Sequence, residues 1–442
     1  MSKAAQTHIG WNSRWTFVMA ATGSAVGLGN IWKFPYITGE NGGGAFVLMY
    51  LLCIAIIGVP VLMAEILLGR HGRSNPVNAM VNLARASDTT KAWALVGVMG
   101  MLAGLMIMSF YSVVAGWVLD YIVESARGTF SGAEPAVISQ YFSTELLADK
   151  KLQLSWHSVF TLLTVAVVAA GVTKGLGNAV RVLMPLLFVL LLVLLGYSYA
   201  QGNFAAGFNF LFDVDFSKLT TDAFLIAMGH AFFTLSVGMG AIMVYGSYMP
   251  SHASIAGTSI TVAFLDTLIA LVAGLAIFPL VFANHIEPSS GPGLMFVSLP
   301  IAFGAIPGGA LFGTLFFILV GIAAWSSSIS LIEPAVAWLD ENFNINRAVS
   351  AALVGVLVWC GGLACIYVEN VFDRLDYLAS NIMLPLGGLF TAIFAGWVLK
   401  RKIAKKELDD LGYSQFNLWY ATVRVFTPIG IIIVFLHSLG LF

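Results

Sequence analysis

Three glycines and an asparagine stand inside an apolar stretch at residues 23–35, Gly-Ser-Ala-Val-Gly-Leu-Gly-Asn-Ile-Trp-Lys-Phe-Pro. Glycine costs about 1 kcal/mol against alanine in a helix interior, and in lipid every opened backbone N–H or C=O must find a new partner. Such a break is tolerated where it lines a site. Carbonyls of Gly23, Ala25 and Val26 can turn toward a cation, while the N–H groups of Leu28 and Gly29, at the start of a half-helix, can face an anion. The stretch reads as a place for a cation and a carboxylate together. A second interruption lies at 232–240, Phe-Phe-Thr-Leu-Ser-Val-Gly-Met-Gly, and hydroxyls cluster at Ser326, Ser327 and Ser328. Ala323 precedes Ser326 and Ser327 by three and four residues, so a helix brings its carbonyl and those hydroxyls to one face. Serines in such a run ordinarily bond back to the preceding turn; beside a broken helix they read as cation ligands.

The elements that must position these groups are membrane spans. The chain has 442 residues, 59% hydrophobic and 10% charged, with mean hydropathy +0.90, where soluble domains carry about 25% charged residues. This is an all-α polytopic membrane protein. A net charge of −1 without a basic domain gives no reason to expect nucleic acid as a partner. Cys53, Cys360 and Cys365 fall in apolar segments and imply no disulfide framework. The N-terminus carries Lys3 and Arg14 with no short apolar region before a cleavage site, so the first helix is expected to be retained.

A span needs about 20 apolar residues. On that measure helices fall near 14–37, 43–69, 92–125, 156–172 and 179–200, then 222–249, 255–283, 309–341, 347–366 and 376–400, and last 417–440. The whole chain is then one transporter domain of eleven helices, with 14–200 and 222–400 as two five-helix inverted repeats. The two interrupted helices are the first of each repeat, the sequence pointer to a transporter site at the bilayer midplane. Lys and Arg concentrate in the loops on one side, which puts the N-terminus in the cytoplasm and, with an odd helix count, Phe442 outside. The outer loops 126–155, 201–221 and 284–308 carry no chemistry, and the four prolines of the last (Pro288, Pro292, Pro300, Pro307) suggest a re-entrant cap. Gly175 and Pro185 bracket the start of the fifth helix, which either unwinds to admit water or is an ordinary kinked start.

The runs Ser24–Pro35, Glu40-Asn-Gly-Gly-Gly-Ala-Phe46, Gly69-Arg70, Phe232–Ser236 and Ser326–Ser328 resemble the neurotransmitter:sodium symporter family, closest to bacterial amino-acid members with the leucine-transporter fold. The resemblance runs from about residue 8 to the end and implies a carrier in a bacterial plasma membrane. It implies two sodium ions. One is held by Ala25, Asn30, Thr234, Asp266 and the substrate carboxylate, the other by Gly23, Val26, Ala323, Ser326 and Ser327. Members that carry amines without a carboxylate have Asp at the position of Gly27. With Gly there, the ligand must bring its own carboxylate, held by the Leu28 and Gly29 amides and Tyr111, while carbonyls of the unwound helices take its ammonium group. Its side chain would meet Ser24, Ile107, Phe233, Ser236, Met239, Ser328 and Leu331, none of which is ionised, and Ala25 and Thr234 count among the substrate contacts as well. Neutral hydrophobic amino acids from leucine to tryptophan are the expected substrates.

Asp266 stands where the family commonly has Asn close to a chloride site. A fixed carboxylate there is expected to replace chloride, and to take a proton when sodium leaves. Lys33 and Asp376 occupy the outer gate with Phe233 as lid. Trp11, Tyr248 and Glu341 match the inner gate, with His8 where an Arg is usual. Glu65 matches a glutamate that supports unwound backbone, and Glu333 has no assigned role. An intramembrane enzyme would need a nucleophile and base, for which Ser326–Ser328 with His230 is a loose candidate without a motif. A channel would need a continuous pore, and a carrier of another zwitterionic solute, proton- or sodium-coupled, is the remaining rival. The chain is read as a sodium-coupled symporter working by alternating access, not an enzyme.

Overall fold

The computed structural model of the chain describes residues 11, 13–287, 293–343 and 345–438. Lys3, His8, Pro288, Pro292 and Phe442, which entered the sequence argument, lie outside the described residues. Among the described residues the regular structure is helical throughout. Nine helices are long and apolar enough to cross a membrane: Gly44–Gly72, Lys91–Arg127, Lys150–Ala169, Val172–Gln201, Ile255–Ala283, Gly309–Phe343, Arg347–Tyr367, Val371–Val398 and Tyr413–Leu436. The two other expected spans are the interrupted ones.

Boundaries follow local chemistry. The fourth expected span, 156–172, begins earlier, at Lys150, because the Asp149 carboxylate accepts from the Lys151 and Leu152 N–H groups (2.9 and 3.0 Å) and caps the helix there. It stops at Ala169 because Gly171 has φ +96°, so Val172 opens the next helix. Val172–Gly177 is wound in one wide turn and Pro185 sits within the helix that follows. In this conformation the start of the fifth span is closed. The 284–308 loop contributes a short helical cap, Leu294–Gly304, docked on the 126–155 loop by the Gly132 N–H to the Gly304 carbonyl (3.0 Å).

The broken helices lie at the centre. The first runs as Arg14–Ala25, an irregular turn at Val26–Leu28, a wide turn Gly29–Lys33 and Phe34–Glu40. The second runs as Thr221–Thr234 and Ala241–Tyr248. Its gap is made by left-handed backbone at Ser236 (φ 55°), Gly238 (89°) and Gly240 (74°). Serine in that region costs about 1–2 kcal/mol, so Ser236 is held there by what surrounds it. The inner half-helix Ala241–Tyr248 packs backbone to backbone on Gly44–Gly72: a Cβ added at Gly69 would sit 1.9 Å from the Met243 carbonyl oxygen. Small residues permit this approach, as in helix pairs within bilayers.

Candidate functional site

Asp266 is fully buried in Ile255–Ala283, and its carboxylate accepts from Asn30 Nδ2 (2.8 Å), from the Thr234 hydroxyl (3.0 and 3.1 Å) and from the Tyr50 hydroxyl (3.4 Å). Among the described residues it has no ion pair with a cationic side chain. A buried carboxylate without a counter-charge is costly, and hydrogen bonds alone do not supply a charge. The side chains of Asn30, Thr234 and Asp266 meet from the first, sixth and seventh spans, with the Asn30 amide nitrogen turned to Asp266 and its oxygen accepting from the Gly27 N–H (3.2 Å). Ala25 ends the helix Arg14–Ala25, so its carbonyl is among those a helix end leaves without an intrahelical partner. This is a hard-oxygen nest suited to an alkali cation.

The second cluster assembles around Ser327. Its hydroxyl lies 3.3, 3.1 and 3.2 Å from the carbonyl oxygens of Gly23, Ser24 and Val26, three groups that the broken helix turns toward Gly309–Phe343. The Ser326 hydroxyl donates to the Ala323 carbonyl (3.0 Å). The expected ligands Gly23, Val26, Ala323, Ser326 and Ser327 are thus brought together, with the hydroxyls donating to the carbonyls that a cation would draw apart from them. No chemistry in this donor set distinguishes it from a sodium site: all of it is neutral oxygen.

Between the clusters, the Leu28 N–H donates to the Tyr111 hydroxyl (3.1 Å). Gly27 is confined beside them: a Cβ there would sit 2.5 Å from Ser327 Oγ and 2.9 Å from Tyr111 OH. The small cavity here is bordered by Ser24, Ala25, Gly27, Leu28, Gly29, Ile107, Tyr111, Phe233, Ser236, Met239, Ser327 and Leu331, and holds about 20 Å³ of water-accessible space, room for one or two waters. Two expected contacts are absent from that lining. The Ser328 hydroxyl bonds back to the Ala324 carbonyl (2.8 Å) and Thr234 turns to Asp266; Gly27 and Ser327 stand in their place. The Glu65 carboxylate accepts from the Gly238 N–H (2.7 Å) and supports the second gap, as expected.

Beside this cavity lies another of about 80 Å³, walled by Trp32, Lys33, Tyr36, Phe110, Phe372 and Asp376, and Phe233, with Leu28, Gly29 and Tyr111, borders both. Lys33 and Asp376 face the same vestibule but form no ion pair: Lys33 Nζ lies 4.6 Å from the Phe233 ring centre, and Asp376 accepts from the Ser380 hydroxyl (2.7 Å).

Of the three residues the sequence suggested for the inner gate, Trp11 and Tyr248 meet and Glu341 stands apart from them. Trp11 donates its backbone N–H to the Tyr248 carbonyl (2.9 Å) and its indole N–H to the Val172 carbonyl (3.2 Å). Tyr248 bonds through its hydroxyl to Glu333 (2.7 Å), and Glu333 pairs with Arg347 (2.5 Å), whose Nε reaches the Val168 carbonyl (3.0 Å). Glu341 instead accepts from the backbone and side-chain amides of Asn75 (3.0 and 2.7 Å) and from the Ser74 hydroxyl, beside the start of Pro76–Ala86. The Glu333–Arg347 pair was not foreseen in the sequence, although a carboxylate inside an apolar span demands a cationic partner and Arg347 begins the next helix.

In sequence and fold the chain is similar to known transporters. The family model described as the sodium:neurotransmitter symporter family matches residues 9–136 and 138–442. An uncharacterized sodium-dependent transporter of Bacillus subtilis, YhdH, is 36% identical over 99% of both chains. The human sodium- and chloride-dependent GABA transporter 2 is 26% identical over 97% of this chain and 79% of its own. The crystal structure of MhsT in complex with L-phenylalanine superposes with a TM-score of 0.89 at 42% identity, covering 97% of this chain and 99% of that one. The chain is an integral membrane protein with the leucine-transporter fold, it is no enzyme, and it belongs to the sodium:neurotransmitter symporter family.

Proposed function

We propose that the protein imports neutral hydrophobic and aromatic L-amino acids together with two sodium ions, without chloride. The family's sodium coupling is the starting point. The observation that carries the substrate class is Gly27: with Ser327 and Tyr111 against its Cα, that position holds no acidic side chain, so negative charge beside the Leu28 amide must come from the ligand. An amino acid brings it. Ile107, Phe233, Met239 and Leu331 offer its side chain apolar walls and an adaptable thioether, and the similar transporter bound to L-phenylalanine supports the aromatic end of the range. Asp266, a carboxylate beside Asn30 and Thr234, supplies the fixed charge that removes the need for chloride.

In this mechanism the halves 14–200 and 222–400 act as inverted repeats. The vestibule admits sodium and substrate, Phe233 closes over them, and the inner half-helix parts from the Trp11–Tyr248–Glu333–Arg347 closure to open the cytoplasmic side. The N-terminus lies in the cytoplasm of a bacterial cell, and the membrane potential contributes about 2.3 kcal/mol per charge per 100 mV. Uptake of tryptophan and leucine into proteoliposomes tests this, with sodium or choline outside and chloride or gluconate as anion. Sodium-dependent, chloride-indifferent accumulation of both is expected; uptake that ignores sodium would mean the cation nests are misread and another solute is carried.

A further inference from the structure

Two arginines meet on one aromatic ring where the tenth and last spans join. Arg401 opens the helix Arg401–Glu407, and its guanidinium carbon lies 5.2 Å from the centre of the Tyr420 ring and 5.7 Å from that of Phe416, while it donates to the Asn417 side-chain oxygen. Arg424 approaches the same Tyr420 ring to 5.9 Å and lies 4.0 Å over Trp397, whose indole N–H donates to the Arg424 carbonyl (2.8 Å). Neither arginine has a carboxylate partner among the described residues. Of the acids near them in the chain or the fold, Glu407 is engaged with Arg70 and His71, Asp88 with Lys400, and Asp410 with the Ser254 hydroxyl. An aromatic face attracts a cation but carries no net charge. Two like charges are thus gathered with nothing to neutralise them.

Their position selects the missing charge. Arg424 lies about three turns inside the apolar span Tyr413–Leu436, and a Cβ on Gly396 would sit 2.9 Å from its Cα, which sets it level with the last turn of Val371–Val398. At such a span end arginine side chains reach to lipid headgroups, and Trp and Tyr rings collect there. Trp397, Val425 and Phe426 beside the pair are exposed and apolar, a surface that acyl chains cover. A charged group in a span is paired or functional. We propose that Arg401 and Arg424 form a binding site for one anionic glycerophospholipid, its phosphodiester bridging the two guanidiniums and its acyl chains lying on Trp397, Val425 and Phe426. A guanidinium fork matches phosphate oxygens in a way that a lysine does not. The bound lipid staples the last span to the end of the tenth, a role independent of which solute is carried.

The test titrates delipidated full-length protein with phosphatidylglycerol or phosphatidylcholine of the same acyl chains and counts bound lipids by native mass spectrometry. The proteins are the wild type, Arg401→Gln, Arg424→Gln, the double arginine variant, and Lys402→Gln with Lys406→Gln, two exposed lysines of the same helix. Phosphatidylglycerol should bind the wild type at least about tenfold more tightly than phosphatidylcholine, since each basic residue at an anionic lipid headgroup contributes about fivefold. Each single arginine variant should lose about fivefold of that preference, the double variant should lose all of it, and the lysine variant should keep it. The single variants keep the test decisive if the double one does not fold. An equal loss in the lysine variant would mean diffuse attraction to a basic surface and overturn the site, as would an unchanged preference in the arginine variants. Displacement of the lipid by equimolar inorganic phosphate would assign the pair to a soluble anion and overturn the lipid assignment.

Discussion

Asp266 concentrates the energetic argument in one side chain. Its three neutral donors stabilise a negative charge without cancelling it, so a cation bound beside it gains both Coulombic attraction and the removal of a buried, unpaired charge. Asp266→Asn removes that charge at nearly constant shape. The expected outcome is a loss of sodium affinity of at least tenfold, with partial rescue by chloride, read from sodium titrations of amino-acid uptake in chloride and gluconate; unchanged, chloride-indifferent uptake would refute the assignment. Asn30, Thr234 and Asp266 were legible in the sequence through the family resemblance, with Asp266 marked also as an ionisable group inside an apolar span. Tyr50 was not, since a tyrosine in a hydrophobic run looks like core until its hydroxyl is seen to reach a carboxylate. Ser328 shows the opposite case: three consecutive serines look alike, but a helix points them 100° apart, and only the fold reveals that Ser326 and Ser328 bond back to their own turn while Ser327 reaches the broken helix.

At the scale of elements, the unbroken spans were readable from apolar length and the breaks from glycine within it. What failed to read was partner choice between helix ends. The sequence places Glu341 and Glu333 eight residues apart on one helix, and composition does not tell which one faces Arg347. In the fold Glu333, fully buried, takes Arg347 and Tyr248, tying the helix Gly309–Phe343 to the inner half-helix and, through Val168, to the fourth span. Removing one member of a buried ion pair costs about 3–5 kcal/mol because the other is left unpaired. Arg347→Ala should therefore favour the inward-open state. Amide exchange in Ala241–Tyr248 is expected to accelerate at least tenfold, and the double substitution Glu333→Gln with Arg347→Met should recover part of the protection. If exchange is unchanged in Arg347→Ala, this pair does not hold the cytoplasmic side shut.

At the scale of the whole molecule, helices differ in how they share the interior. The most apolar window of Gly309–Phe343 is 78% buried, against 33% for Tyr413–Leu436, which places the former at the centre and the latter at the lipid boundary. The peripheral span is still fastened at its start. Glu407, in the connection before the last span, accepts from Arg70 Nε (2.7 Å) and pairs with His71 Nδ1 (2.9 Å), while Arg70 also reaches the Ala253 carbonyl (2.5 Å). Burial raises the pKa of the Glu407 carboxyl, but the hydrogen bonds and charges of His71 and Arg70 outweigh it and hold it below the ordinary value. The sign follows: a lowered folded-state pKa stabilises above the unfolded value of about 4.3, and that contribution is lost as pH falls through the folded value. Glu407→Gln should lower the melting temperature at pH 7 and flatten its fall on acidification, measured by intrinsic fluorescence; a variant that melts like the wild type at pH 7 would show the fastening to be idle.

One oxygen sets a mechanical condition on all of this motion. The carbonyl of Ser24, on the first span, receives hydroxyls from Ser236 on the sixth and Ser327 on the eighth. A single atom is thus the knot of three helices that must move at different times. If the first span tilts, it slackens its tie to the eighth, where one cation would rest, and its tie to the sixth, where the substrate would rest, in the same step. Built this way, ion and cargo would leave together, and a leak of either alone would require the knot to be undone halfway.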